Sequence, residues 1–217
     1  LVQVATYADL IADGWIVEPT HYTSDVSLVD ESKLRVKRSG DFDGHDLAAA
    51  VDAHKTRVGN IVEHWAEHAR GFKTVAFGVS VRDSRNIADK FNSAGVIAEH
   101  LDANTPTECP HVDLCACYAR SAILRRLKFG NTLIVCNVDV LTEGWDEPSV
   151  KCGILARQTL SRRVYMQQGG RILRPYLDLV AILLDHAGLW SRFGAVTTDI
   201  DHSLDSPKAK RAKVTSV

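Results

Sequence analysis

Leu133-Ile134-Val135-Cys136-Asn137-Val138-Asp139-Val140-Leu141-Thr142-Glu143-Gly144-Trp145-Asp146-Glu147-Pro148 is the stretch that decides the fold. Its first half belongs to the apolar run Thr132 to Val138, and its second half is a loop holding a hydroxyl, a glycine and several acids. A strand with one wet face alternates polar and apolar residues, whereas a near-unbroken apolar run fits a strand covered on both faces. Similar runs stand at Thr74 to Val79, Val96 to Leu101, Val150 to Ala156 and Leu179 to Leu184. Segments with helical spacing separate them. The pattern predicts an α/β domain with a mainly parallel sheet covered by helices on both sides.

The helices have readable ends. From Gly44 to Arg70 the apolar residues Leu47, Val51, Val58, Ile61 and Trp65 recur at three and four residues with one gap of seven, which predicts one long helix ending at Gly71. Ser80 with Asp83 three residues on predicts a capped helix that stops at Gly95. A second crossover helix is expected from Ser121 to Phe129, closed by Gly130, and a third from Ser161 to Leu173, closed by Pro175. The expected organisation is an opening segment, 1–42, packing on the domain, the α/β domain itself over 43–202, and a flexible basic tail over 203–217. That tail carries Lys208, Lys210, Arg211 and Lys213. It also fits a nuclear address or a nucleic-acid-binding arm.

Composition narrows the classes. In 217 residues, 45% are hydrophobic and 24% charged, which excludes collagen-like and wholly disordered chains. The apolar runs are too short to span a membrane. With 26 Lys and Arg against 27 Asp and Glu, any polyanion site must be a local patch. The five cysteines are an odd number and cluster between Cys109 and Cys152, which suggests a reducing, intracellular setting. Leu1 stands first and the only methionine is Met166, so a fragment of a longer protein is expected.

The chemistry concentrates in Gln167-Gln168-Gly169-Gly170-Arg171-Ile172-Leu173-Arg174-Pro175. Two arginines three apart would share a helix face, and the glycines before them allow close approach of a backbone or ligand. Guanidinium groups stay charged and offer a planar fork of donors, which suits a clamp on a transferring phosphoryl group. A surface helix with solvated arginines is the alternative for this segment taken alone. The Asn137 to Asp146 loop, at the carboxyl end of a buried strand, lies where ligands bind in open parallel sheets.

Together these stretches resemble the second RecA-like domain of superfamily-two helicases and translocases. Gln167, Gly170, Arg171 and Arg174 are similar to that family's motif VI, and Asn137 to Asp146, with its Thr-Glu-Gly-aromatic-Asp core, to motif V. Thr74 to Ser80 resembles motif IV, and His100 to Pro106 the segment after it. The resemblance runs from about residue 70 to the Asp185-His186-Ala187-Gly188 turn and is nearest to restriction-enzyme motors, related repair helicases and phage helicases. It implies a RecA-like three-layer α/β/α fold. It implies that Arg171 and Arg174 contact the γ-phosphate of ATP, Gln167 helps form the cleft, and Gly144, Asp146 and Gly170 lie by the nucleotide. Asn137 and Thr142 would stand near the nucleic acid, where Ser80 at a helix N-terminus, assisted by Arg82, could hold a backbone phosphate.

The implied partners are DNA, with RNA open, and an N-terminal RecA-like domain of the same parent chain that supplies the phosphate loop and the magnesium ligands. The chain contains no Gly-x-x-x-x-Gly-Lys-Ser/Thr sequence and no Asp-Glu-x-His, so alone it is expected not to hydrolyse ATP. The implied location is cytoplasmic, and nucleoid-associated if the protein is bacterial or phage. A RecA-like binding module without ATPase activity is the alternative function.

Two further patterns compete. His64-Trp65-Ala66-Glu67-His68 has the order of one zinc-peptidase class but shows no third ligand. Cys109, His111, Cys115 and Cys117 place four soft ligands where relatives have a shorter connection, which reads as an inserted loop of thiols or a zinc site.

Overall fold

The computed structural model describes residues 5–23, 29–54, 56–109 and 116–199, so the expected basic tail lies outside the described residues. Six strands form one sheet: β1 (Pro19–Thr23), β2 (Thr74–Phe77), β3 (Ala98–Leu101), β4 (Ile134–Asn137), β5 (Cys152–Leu155) and β6 (Ala181–Asp185). Their order is β1-β6-β5-β2-β4-β3, and every pairing is parallel. The helices are α1 (Tyr7–Ala12), α2 (Gly44–Asp52), α3 (Thr56–His68), α4 (Val81–Ser93), α5 (Arg120–Phe129), α6 (Arg162–Gly170) and α7 (Leu189–Phe193).

Side chains alternate across a strand, and that alternation sorts the apolar runs into two cores. Val75, Phe77, Val135, Leu155 and Leu183 join Ile123 and Leu127 of α5, Tyr165 of α6 and Leu189 of α7. Ala76, Ile134, Cys136, Ile154 and Leu184 face the opposite layer, against Ile61 and Trp65 of α3 and Ile87 and Phe91 of α4. The architecture is therefore three layers, α/β/α. Each fully buried side chain of the size of Phe91 contributes about 2 kcal/mol. The buried Trp65 indole N–H donates to Thr74 Oγ1 at 2.8 Å, so its burial leaves no donor unpaired.

Three expectations change. The long helix from Gly44 to Arg70 is two helices, because α2 ends at Asp52 and α3 begins at Thr56. Leu47 and Val51 pack with Val29 and Phe42 in a small separate cluster, whereas Ile61 and Trp65 enter the main core. One straight helix face cannot serve two cores, and the seven-residue gap between Val51 and Val58 is the mark of the break.

The third crossover helix ends at Gly170, not Leu173, so Arg171 and Arg174 stand in the turn beyond it and not on a helix face. The carbonyls of Ile172 and Arg174 accept hydrogen bonds from Lys151 Nζ at 2.9 and 2.7 Å, and that of Leu173 from the Val17 N–H at 2.7 Å. These outside donors hold the turn in place.

The opening segment also supplies a strand. Pro19–Thr23 pairs with β6 at the sheet edge, in register from Pro19 beside Ala181 to Thr23 beside Asp185. Elsewhere the helix ends fall close to the predicted ones. Gly130 closes α5 in the left-handed conformation at φ 84°. Ser80 Oγ caps α4 by accepting from the Asp83 N–H at 3.1 Å, while the Asp83 carboxylate accepts from the Val79 N–H at 3.0 Å.

Candidate functional site

The strand order places β2 between β4 and β5, so the connection from β4 to β5 must cross it. That connection, residues 138–151, contains no helix. At its start Asn137 is fully buried: its Nδ2 donates to the Ala76 carbonyl at 3.0 Å and its Oδ1 accepts from the Leu141 N–H at 3.1 Å. The side chain expected beside the nucleic acid thus clips β4 to β2 and shapes the loop, with no surface of its own. Asp139 adopts φ 55° and pairs with Arg157, and the Thr142 hydroxyl donates to the Asp139 carbonyl at 3.0 Å. Gly144 sits at φ 70°, a conformation other side chains adopt at a cost.

Three side chains from the end of α6 converge on this loop. Gln167 Nε2 donates to Glu143 Oε1 at 2.7 Å. Arg171 donates to the Thr142 carbonyl from Nε at 3.0 Å and Nη2 at 2.5 Å, and to the Trp145 carbonyl from Nη1 at 2.6 Å. Arg174 pairs with Asp146, their side chains 53% and 46% exposed. The neutral carbonyls leave the charge of Arg171 uncompensated, while the Arg174 pair is open to solvent. The two glycines differ sharply: a Cβ on Gly169 would lie 2.5 Å from Val196 Cγ2, whereas one on Gly170 would meet nothing within 4 Å. Gly169 serves packing, and the space beside Gly170 is open.

A second group stands at the ends of β2 and β3. Ser80 is half-buried at the N-terminus of α4, and the exposed Arg82 donates to Asp52 at 3.3 Å. Behind them Ser84 Oγ lies 2.7 Å from His100 Nδ1, and His100 Nε2 lies 3.2 Å from Asp102 Oδ2. This Ser-His-Asp order resembles a nucleophile relay, but all three residues are buried. Burial pushes His100 below the usual imidazole range. Burial alone would raise Asp102, but its bonds to His100 and to the Asn104 N–H outweigh that and hold the carboxyl low. The relay ties α4 to the loop after β3.

The competing patterns acquire partners. His64 Nδ1 lies 3.1 Å from His186 Nε2, and His68 stacks on Tyr22 at 3.9 Å between ring centroids. Among the described residues no group of three or more His, Cys, Asp or Glu is arranged to hold a metal ion. The sulfurs of Cys109 and Cys117 lie 2.7 Å apart, while His111 and Cys115 fall outside the described residues.

No protein-family profile matches the chain. It is 32% identical over 183 residues to a 51.5 kDa protein of a Lactococcus phage, covering 84% of this chain and 37% of that protein. It is 25% identical over 170 residues to IRC3 of Saccharomyces cerevisiae, a candidate ATP-dependent helicase by name, covering 76% of this chain and 23% of that one. Its counterpart in Schizosaccharomyces pombe, named as a candidate mitochondrial ATP-dependent helicase, is 27% identical over 173 residues, covering 77% and 26%. Among solved structures, the ATP-dependent Type ISP restriction-modification enzyme LlaBIII bound to DNA superposes with a TM-score of 0.52 at 13% identity, over 84% of this chain and 13% of that one. At that identity the likeness is one of fold. The chain has a RecA-like α/β/α fold and is similar in sequence to part of two proteins named as candidate ATP-dependent helicases.

The chain spans 37%, 23% and 26% of the three curated relatives, so it matches only a part of each. No helix among its described residues is long and apolar enough to cross a membrane. Residue types did not single out Lys151, which is fully buried, makes its bonds to the two carbonyls of the arginine-bearing turn, and is pushed down to about 8 by burial. Its sequence signal was available: a lysine inside the apolar run from Val150 to Ala156. Glu143, the partner of Gln167, lies within the Thr-Glu-Gly-aromatic-Asp core but was given no role there.

Proposed function

We propose that the chain is the second motor domain of an ATP-dependent DNA helicase or translocase, acting across an ATP cleft shared with a first RecA-like domain of the same parent protein. The observation that carries this reading is the convergence of Gln167, Arg171 and Arg174 on the loop 142–146. Gly144, Asp146 and Gly170 lie on or beside that convergence, where the open space at Gly170 admits a nucleotide. Magnesium, held by acids of the other domain, would screen the phosphate charge.

Arg174 exchanges Asp146 for the γ-phosphate. A solvent-exposed ion pair is worth only about 0–1 kcal/mol, while charge-assisted bidentate bonds in a closed cleft are worth more. Of the five donors on Arg171, the loop carbonyls take three, and the other two serve the phosphate while the guanidinium stays tied to the loop. Movement of the arginines on closure therefore moves the loop. Its start is clipped by Asn137 at the strand ends, near which Ser80 offers backbone N–H groups to a DNA phosphate. Nucleotide state is thereby converted to a change of grip on the strand. Backbone contacts of this kind give little sequence preference and strong salt dependence.

In the intact parent protein, Arg174→Ala and Arg171→Ala should each reduce DNA-stimulated ATP hydrolysis about 10³-fold or more. Normal turnover by folded variants would remove the arginine-finger role.

A further inference from the structure

The inserted segment between β3 and α5 is closed at its neck independently of any sulfur chemistry. The Arg120 N–H donates to the Pro106 carbonyl at 2.7 Å and the Ser121 N–H to the Thr107 carbonyl at 3.1 Å. Beyond these bonds, the Cys109 N–H donates to Ser121 Oγ at 2.9 Å, and Arg126 Nη2 donates to the Cys117 carbonyl at 3.3 Å. Arg126 is itself held by Glu99 at 2.5 Å. Both cysteine backbones are thus fixed to α5, and their sulfurs face each other at 2.7 Å, eight residues apart, in half-buried positions.

We propose that Cys109 and Cys117 form a dithiol site that closes to an intramolecular disulfide by exchange with a small disulfide of the glutathione type. A disulfide brings the sulfurs to about 2.05 Å, and the neck already holds these two side chains in direct contact. The thiolate of one cysteine attacks the small disulfide, forming a mixed disulfide and expelling one small thiol. The second cysteine's thiolate attacks the protein sulfur of that mixed disulfide and expels the other. In balance, two cysteine thiols lose two protons and two electrons, and one small disulfide becomes two small thiols. Because the neck holds the second thiol beside the first, the second step outruns release of the mixed disulfide. Cys136 and Cys152 take no part: both are buried within the sheet, and burial pushes the Cys152 thiol up to about 12.

The test equilibrates the 217-residue chain in glutathione redox buffers, quenches with an alkylating agent, and reads intact and peptide masses. The expected product is lower in mass by two hydrogens, links the peptides carrying Cys109 and Cys117, and forms at least ten times more readily than in the chain unfolded by urea. Cys115→Ser should leave that product unchanged, and Cys109→Ser should stop at a lasting glutathione adduct on Cys117. A link through Cys115, equal closure in the unfolded chain, or a stoichiometric zinc ion that protects all three thiols until it is chelated would each overturn the proposal.

Discussion

The guanidinium of Arg171 grips the carbonyl oxygen of Thr142 with two donors, at 3.0 Å from Nε and 2.5 Å from Nη2. This contact joins the end of α6 to a loop 29 residues earlier in the chain. It makes Arg171 a structural anchor as well as a candidate phosphate ligand. Arg174, paired to Asp146 in solvent, has no comparable anchoring role.

The two arginines should therefore separate in the isolated chain. Arg171→Ala leaves the Thr142 and Trp145 carbonyls without their donor and is expected to lower stability by about 1–3 kcal/mol, with faster amide exchange over residues 138–148. Arg174→Ala should change stability by less than about 1 kcal/mol. Urea unfolding and hydrogen exchange of both variants check this, and equal effects would refute the assignment of an anchor and a finger.

Gly169 and Gly170 should separate in the same way. Gly169→Ala drives a methyl group against Val196 and is expected to cost about 1–3 kcal/mol. Gly170→Ala meets open space at the end of a helix and should be neutral or stabilising by up to about 1 kcal/mol. In the parent protein the order should invert for nucleotide affinity, where the Gly170 methyl group would occupy the space proposed for the ligand. Calorimetry and nucleotide titration distinguish the two effects.

Acid should weaken the fold before carboxylates titrate. Burial pushes His21 down to about 4 and lowers His64 and His100, with the charge of His68 adding to the effect on His64. An unfolded histidine titrates near about 6.5, so in the window below it the unfolded chain binds more protons than the folded one. Stability is then fully present above pH 6.5 and falls as pH drops from 6.5 towards 4, by about 1–3 kcal/mol. Urea midpoints at pH 7.5, 5.5 and 4.5 measure it, and His21→Phe should flatten the curve.

Lys151 gives the opposite window. Its ordinary value of 10.5 is pushed down to about 8, so the folded chain binds fewer protons between those limits and gains stability as pH rises through them. In Lys151→Met, loss of the buried charge offsets loss of the donor to the Ile172 and Arg174 carbonyls near pH 7. The wild-type advantage over that variant should grow by about 1–3 kcal/mol between pH 7 and 10. A difference that does not vary with pH would show that the ammonium is not perturbed.

The strands of the inner sheet were legible because a strand covered on both faces has to be a nearly unbroken apolar run, as at Ile134 to Cys136 and Ala181 to Leu184. The edge strand β1 was not, whereas β3 at the opposite edge was marked by the run Val96 to Leu101. Pro19-Thr20-His21-Tyr22-Thr23 has one neighbour and a mixed surface, so its residues carry no run or period that separates it from a loop. The helix break after Asp52 was written only as a lengthened gap, because periodicity reports a face and not which core the face meets.

The same division holds at the site. The alternation of apolar runs with helical spacing determined a parallel sheet covered by helices on both sides, and the residue types in Gln167 to Arg174 marked the segment as a candidate phosphate clamp. Which groups those side chains hold was decided by the tertiary structure alone: Gln167 on Glu143, Arg171 on two carbonyls, Arg174 on Asp146, and Lys151 beneath the turn. The physical reason is one of range. Periodicity and capping act within a few residues and are written locally, whereas these contacts exist only once β5 and β4 lie on either side of β2 and bring distant segments together.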